Sequence, residues 1–149
     1  MEQDKFLQEN LLYAWMQMSV CIRGNRILSQ LSLNEMMLCG MLYRQQNSAL
    51  PPLTATELGE RMKLLKSQIN HILTAMEKTG IIHRERGTTD KRVIHVHLTD
   101  TGRELYEQEH ARVMEIMARI HSELGDEDTR QLTQLIARAT ALVTTHTER

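Results

Sequence analysis

The run Asp90-Lys91-Arg92-Val93-Ile94-His95-Val96-His97-Leu98-Thr99-Asp100-Thr101-Gly102 passes from a charged turn, through an alternating strand, into a helix start. Ile94, Val96 and Leu98 share one face of the strand and His95 and His97 the other, because side chains alternate along an extended chain. Thr99 then offers a hydroxyl as N-cap for the helix that follows. Just upstream, residues 81–86 are a second β-type run, so the two predict a hairpin around the tip 87–92. A charged hairpin tip held beside a helix is a shape that fits a DNA groove.

Working outward, the chain reads as six helices and this one hairpin. The first helix is predicted over residues 4–29, with Phe6, Leu7, Leu11, Leu12, Trp15, Met16, Ser19, Val20 and Ile22 at helical spacing and Gly24 weakening its later part. Ser32 and Glu35 form a capping box that opens a second helix to about Gln45. The Pro51-Pro52 pair makes residues 46–52 a loop. Thr54 and Glu57 repeat the capping box and start a short third helix ending near Met62. After Lys63, Leu64, Leu65 and Lys66 a fourth begins near Ser67. Two short helices about four residues apart have helix-turn-helix spacing. Ile69, Ile72, Leu73 and Met76 form the apolar stripe of the fourth helix, Gln68, Asn70, His71 and Lys78 lie off it, and Gly80 suits its C-terminal cap. The fifth helix carries Leu105, Val113, Ile116, Met117, Ile120 and Leu124. Gly125-Asp126 breaks the chain before a sixth helix with Leu132, Leu135, Ile136, Ala139, Leu142 and Val143.

Length and composition set the frame. The 149 residues, 41% of them apolar, suit one globular domain. No apolar run approaches the roughly 18 residues of a membrane span, and Met1-Glu2-Gln3-Asp4 is acidic where a signal peptide is basic. A cytoplasmic protein without membrane partners is expected. Two cysteines, Cys21 and Cys39, make no disulfide framework. The net charge of −1 hides a division: residues 61–92 hold eight basic side chains against three acidic ones, a net of +5. A polyanion responds to that local field rather than to the total.

The order helix, helix, hairpin over residues 54–98 is that of a winged helix-turn-helix. The fold class is therefore mainly α with a small β-hairpin wing. A major groove about 12 Å wide takes one helix bearing short polar side chains near its N-terminus and an apolar back. The fourth helix has both, so Gln68, Asn70 and His71 are assigned to base reading, and Lys66, Ser67 and Arg86 to the phosphate backbone. The tip, with Thr88, Thr89, Asp90, Lys91 and Arg92, is the second DNA-binding surface. Arg92 would enter a minor groove, with Asp90 holding its guanidinium through a bidentate pair.

Asp90, Arg92, Val96, Leu98, Thr99 and Gly102 match the signature Asp-x-Arg-x-x-x-Val-x-Leu-Thr-x-x-Gly, and by these residues the chain resembles the MarR (multiple antibiotic resistance regulator) transcription factors. Leu73 to Ile82 resembles the end of that family's recognition helix and the start of its wing, and the helix order agrees over nearly the whole chain. The resemblance implies a homodimer joined through the first, fifth and sixth helices. It also implies two wings on a pseudo-palindromic operator, and a repressor relieved by a small aromatic or amphipathic effector whose binding residues the sequence does not identify. The apolar terminal helices support dimerisation on their own. Accordingly 1–149 is expected to be a single MarR-like domain, with 1–30 and 100–149 as helical dimerisation region and 32–98 as the DNA-binding region. His71 departs from the basic or small polar residue usual in relatives, and the wing Gly87-Thr88-Thr89 is less acidic than theirs.

Other chemistry finds less footing. His95-x-His97 has a metal-ligand look but no third ligand nearby in sequence, so solvent-facing histidines beside DNA are expected, with no metal and no cofactor. Cys21, Glu35, Cys39 and His110 lie where zinc-responsive relatives keep ligands, yet Tyr106 stands four residues before His110 where a second histidine would complete a helical pair. Cys39 sits in the apolar run Met36, Met37, Leu38, Met41, Leu42 and reads as a buried thiol. No phosphate loop, nucleophile elbow or paired catalytic carboxylates appear, so no enzyme is expected. The alternatives are a cysteine-based oxidant sensor on the same fold and a dimeric helical adaptor without DNA binding.

Overall fold

The computed structural model describes residues 2–23 and 27–147, in two compact units, 1–112 and 113–149. In the first, α1 (Glu2–Arg23), α2 (Leu33–Gln46), α3 (Ala55–Arg61) and α4 (Lys66–Lys78) precede a hairpin of β1 (Ile82–Arg86) and β2 (Ile94–Leu98). α5 (Asp100–Thr147) then begins in the first unit and continues through the second.

Both capping boxes form. Ser32 Oγ accepts from the Glu35 N–H while the Glu35 carboxylate accepts from the Ser32 N–H, and Thr54 and Glu57 do the same at α3. Each satisfies two main-chain donors that a helix start leaves unpaired. At α4 the start lies one residue ahead of the expected Ser67. Leu65 is the N-cap and has no polar side chain, and the Gln68 carbonyl reaches back 2.9 Å to accept from the Leu65 N–H. The link between α3 and α4 turns at Lys63, whose φ of 56° lies in the left-handed region, while the Leu64 N–H returns to the Gly59 carbonyl at 2.9 Å. α4 ends on the expected glycine. Gly80 has a φ of 76°, and the N–H groups of Gly80 and Ile81 close on the carbonyls of Glu77 and Met76 at 3.0 and 2.9 Å. A side chain at Gly80 would strain this left-handed cap.

The first helix departs from expectation. Residues 27–29 are not helical, and Gly24 lies outside the described residues. The physical reason is Glu109, whose carboxylate accepts both the N–H and the hydroxyl of Ser29 and so takes the main-chain donor that a helix would need. Leu28 beside it is buried.

Leu38, Leu42, Leu58, Leu73, Met76, Ile82 and Val96 are fully buried together, joining α2, α3, α4 and the inner face of the hairpin. Burying such side chains contributes about 1.5–3 kcal/mol each. The strands pair antiparallel, Ile82 opposite Leu98 through Arg86 opposite Ile94. Two further links hold β2. The Val96 N–H donates to the Leu53 carbonyl at 2.9 Å beside a bridge of Thr54 to His95, and the Gln46 side-chain carbonyl accepts from the Leu98 N–H at 2.8 Å.

At the end of the wing, Thr99 caps α5 as expected. Its hydroxyl meets the carbonyls of Gly80 and Ile81 and accepts from the Gly102 N–H at 3.0 Å. A Cβ at Gly102 would collide with the Ile81 carbonyl oxygen, so this glycine lets α5 approach the wing's first residues. In the second unit α5 is interrupted at Gly125, with φ 77° and ψ 173°, where the break between a fifth and a sixth helix was expected. His121 and Asp126 meet across that break at 2.8 Å.

Candidate nucleic-acid interface

α4 turns Ile69, Leu73 and Met76 into the core and leaves Lys66, Ser67, Gln68 and His71 exposed, with Ile72 and Asn70 half-buried. The polar residues singled out from the sequence therefore lie on the face away from the core. Ser67, Asn70 and His71 have no hydrogen bond from their side chains among the described residues. Gln68 differs: its carbonyl is spent on the Leu65 N–H, leaving its amide N–H groups to face outward. An adenine pairing that uses both ends of the amide is thus closed to Gln68 while this cap holds, and open to Asn70.

The wing tip is built from its own main chain. The Gly87 N–H donates to the Val93 carbonyl at 2.9 Å and the Val93 N–H to the Asp90 carbonyl at 3.1 Å. Thr88, Thr89, Asp90, Lys91 and Arg92 are all exposed. Contrary to the expectation from sequence, Asp90 does not hold the Arg92 guanidinium. Its carboxylate accepts the Arg92 main-chain N–H at 2.9 Å, a turn in which the aspartate shapes the loop and the guanidinium stays in solvent. An exposed guanidinium pair contributes little, whereas the main-chain donor has no other partner in a turn this tight.

One residue that fixes the relation between helix and wing escaped the sequence reading. Arg84 on β1 binds Glu77 of α4 with its N–H at 2.9 Å and its guanidinium at 2.7 and 3.0 Å, and reaches the Thr74 hydroxyl at 3.3 Å. These bonds, from the side chain first and the main chain next, hold the Glu77 carboxyl below its ordinary range. The signal was available: Arg84 alternates with His83 and Glu85, so it points inward, where a cation requires an acceptor.

On the outer face of the hairpin, His83 stacks on His97 with ring centroids 4.9 Å apart, and His97 Nε2 lies 3.6 Å from a Glu85 oxygen. His97 is half-buried rather than solvent-facing, and burial, followed by the charge of His83, lowers its pKa despite Glu85. His95 is half-buried too. Cys39 is fully buried, and burial followed by the charge of Glu35 pushes its thiol up to about 12. That is the inert thiol expected from its apolar neighbours. The set Cys21, Glu35, Cys39 and His110 does not come together as a ligand group among the described residues.

Comparison with known proteins gives this geometry its family. The profile described as "Transcriptional regulator SarA/Rot" matches residues 26–108, a span that takes in α2, α3, α4, the wing and the start of α5. The chain belongs to the SarA/Rot family of transcriptional regulators. The MarR-type resemblance read from the wing signature agrees with the relatives of this SarA/Rot protein. Over 92 residues it is 29% identical to the homoprotocatechuate degradative operon repressor of Escherichia coli, a match covering 62% of each chain. It is 34% identical over 86 residues to the HTH-type transcriptional repressor MdtR of Bacillus subtilis, covering 58% of this chain and 56% of that one. The chain thus spans about three-fifths of the length of the curated relatives it matches. In fold it is similar to the transcriptional repressor CouR bound to a 23-mer DNA duplex, with a TM-score of 0.76, 23% identity, and coverage of 90% and 94% of the two chains. The SarA/Rot protein is therefore a winged-helix chain over its wing and helix-turn-helix. No helix among the described residues is long and apolar enough to cross a membrane.

Proposed function

We propose that this SarA/Rot-family protein is a sequence-specific, DNA-binding transcriptional regulator that works as a homodimer on a pseudo-palindromic operator. The observation that carries the reading is the pairing of two exposed polar surfaces, the N-terminal half of α4 and the wing tip, with Arg84–Glu77 locking helix to wing. Asn70 and His71 read base edges, and Gln68 contributes its amide donors. Lys66, Ser67 and Arg86 engage phosphates together with the open N–H groups at the start of α4. The tip, Thr88 to Arg92, lies along the backbone with Arg92 in the minor groove, in a loop shaped by Asp90.

Dimerisation is supported by apolar faces left open in one chain. Phe6, Leu7, Leu11, Leu12, Trp15 and Met16 of α1 are exposed, and no residue of α1 is buried. In the second unit Met117, Ile120, Leu124, Leu132, Leu135 and Ile136 are exposed as well. A second copy that covers residues 1–30 and 100–149 removes these surfaces from water, and 32–98 remains for DNA. A repressor relieved by a small aromatic or amphipathic effector is the mode we favour. The homoprotocatechuate degradative operon repressor and MdtR are both named as repressors, which supports the repressor part of this reading. No catalytic role forms part of this reading, and the cytoplasm is its natural compartment.

The test is binding of the purified protein to the DNA upstream of its own gene across a salt series. Affinity should fall steeply and linearly on a log–log plot as phosphate contacts release counterions. Absence of salt-dependent binding to every upstream fragment would favour the helical adaptor instead.

A further inference from the structure

We propose that the outer face of the wing is a binding site for a divalent first-row transition ion of the zinc class, held by His83, Glu85 and His97. His83 and His97 are direct partners across the β1–β2 ladder, and Glu85 lies two residues along β1, so all three side chains leave the same face of the hairpin. One ligand atom of each lies within 4.8 Å of the other two, and no other group of three such residues converges in this way among the described residues. A tetrahedral zinc ion with ligands about 2.0–2.1 Å away needs donor atoms about 3.3 Å apart, which small side-chain rotations from this arrangement reach.

The chemistry of the donors narrows the ion. Two imidazoles and one carboxylate suit zinc and its transition-metal neighbours, whereas calcium and magnesium require oxygen shells that this face lacks. Three protein ligands leave a fourth position for water. The pair that the sequence suggested, His95 with His97, is not the one the fold assembles. The third ligand absent from the local sequence comes from the opposite strand. Glu85 and His97 as a bare ion pair would use the same contact and bind no metal.

The site lies on the arms that carry the tip, so an ion there would join β1 to β2 directly and stiffen the wing. The metal proposal itself stands apart from DNA binding.

The experiment is zinc titration of the purified full-length protein in competition with a chromophoric chelator, with the His83→Ala, Glu85→Gln and His97→Ala variants alongside. One zinc per chain is expected for the wild type, and each variant should bind at least about tenfold more weakly. His121→Ala, on the second unit, should bind as the wild type does. His83 and Glu85 are exposed, so their variants should keep the metal-free melting temperature, and a loss of affinity in them reports the site rather than the fold. Wild-type protein that takes up no zinc, or a His83→Ala/His97→Ala double variant that keeps stoichiometric zinc, would overturn the proposal.

Discussion

At the scale of single residues, three positions carry distinct and separable consequences. Arg92 keeps its guanidinium in solvent because Asp90 is occupied with the main chain. Arg92→Ala should weaken binding to all DNA sequences alike and flatten the salt slope by about one unit in anisotropy titrations. An unchanged slope would remove the wing tip from the interface. Gly102 lies against the Ile81 carbonyl, so Gly102→Ala should destabilise the protein by about 1–3 kcal/mol, read as a lower midpoint in urea unfolding. Glu109 tests the tether between α5 and Ser29. Burial alone raises its carboxyl pKa, but the hydrogen bonds from Ser29 and the Gln30 N–H, with Arg112 nearby, bring it below the ordinary value. A carboxyl lowered in the folded state stabilises fully above its unfolded pKa of about 4.3 and loses that contribution as pH falls through the folded value. Thermal melts of the wild type and Glu109→Gln should therefore differ near about pH 7 and converge as acid protonates Glu109. A gap that stays constant with pH would show that the tether does not depend on the charge.

At the scale of elements, the wing and α4 behave as one piece because Arg84 joins them. The pair is partly exposed, so solvent screening leaves it about 0.5–1 kcal/mol in a double-mutant cycle of Glu77→Ala and Arg84→Ala. Its larger effect should be on DNA affinity, since either variant lets the tip wander from the helix it serves. Equal DNA affinity in wild type and Arg84→Ala would mean that the core alone sets the wing. Much of this level could be read from the sequence. The two capping boxes, the glycine after α4 and the break at Gly125 are local signals tied to backbone donors or to a left-handed φ, and the alternation of β2 is a local signal of its two faces. What could not be read depends on contacts between distant segments. Residues 27–29 leave the helix because Glu109, eighty residues on, takes the Ser29 N–H. The cluster of His83, Glu85 and His97 depends on strand register, which a motif search along one strand cannot see. The turn of Gln68 back to the Leu65 N–H, by contrast, is local, the same three-residue reach that Glu35 and Glu57 make. It is hidden in the sequence because Leu65 has no polar side chain to mark the start of α4.

At the scale of the whole molecule, the proposed dimer presents two reading helices. Two-fold symmetry would place them one turn of DNA apart, about 34 Å, so an operator should show two half-sites about 10 base pairs from centre to centre. Sizing of the purified protein should give a dimer, and polar substitutions at Leu11 and Trp15 should shift it toward monomer and lower operator affinity together. A monomeric wild type that binds its operator tightly would separate the apolar faces from function. The central claim, that α4 reads sequence while the wing supplies general affinity, is tested most directly by one comparison. Wild type and Asn70→Ala are titrated with the upstream duplex and with a scrambled duplex of equal composition. The wild type should prefer the upstream duplex by at least about 1.4 kcal/mol, a tenfold ratio, and Asn70→Ala should lose about 1–3 kcal/mol on that duplex while its binding to the scrambled one stays the same. Equal affinity of the wild type for both duplexes, or a preference untouched by Asn70→Ala, would contradict it.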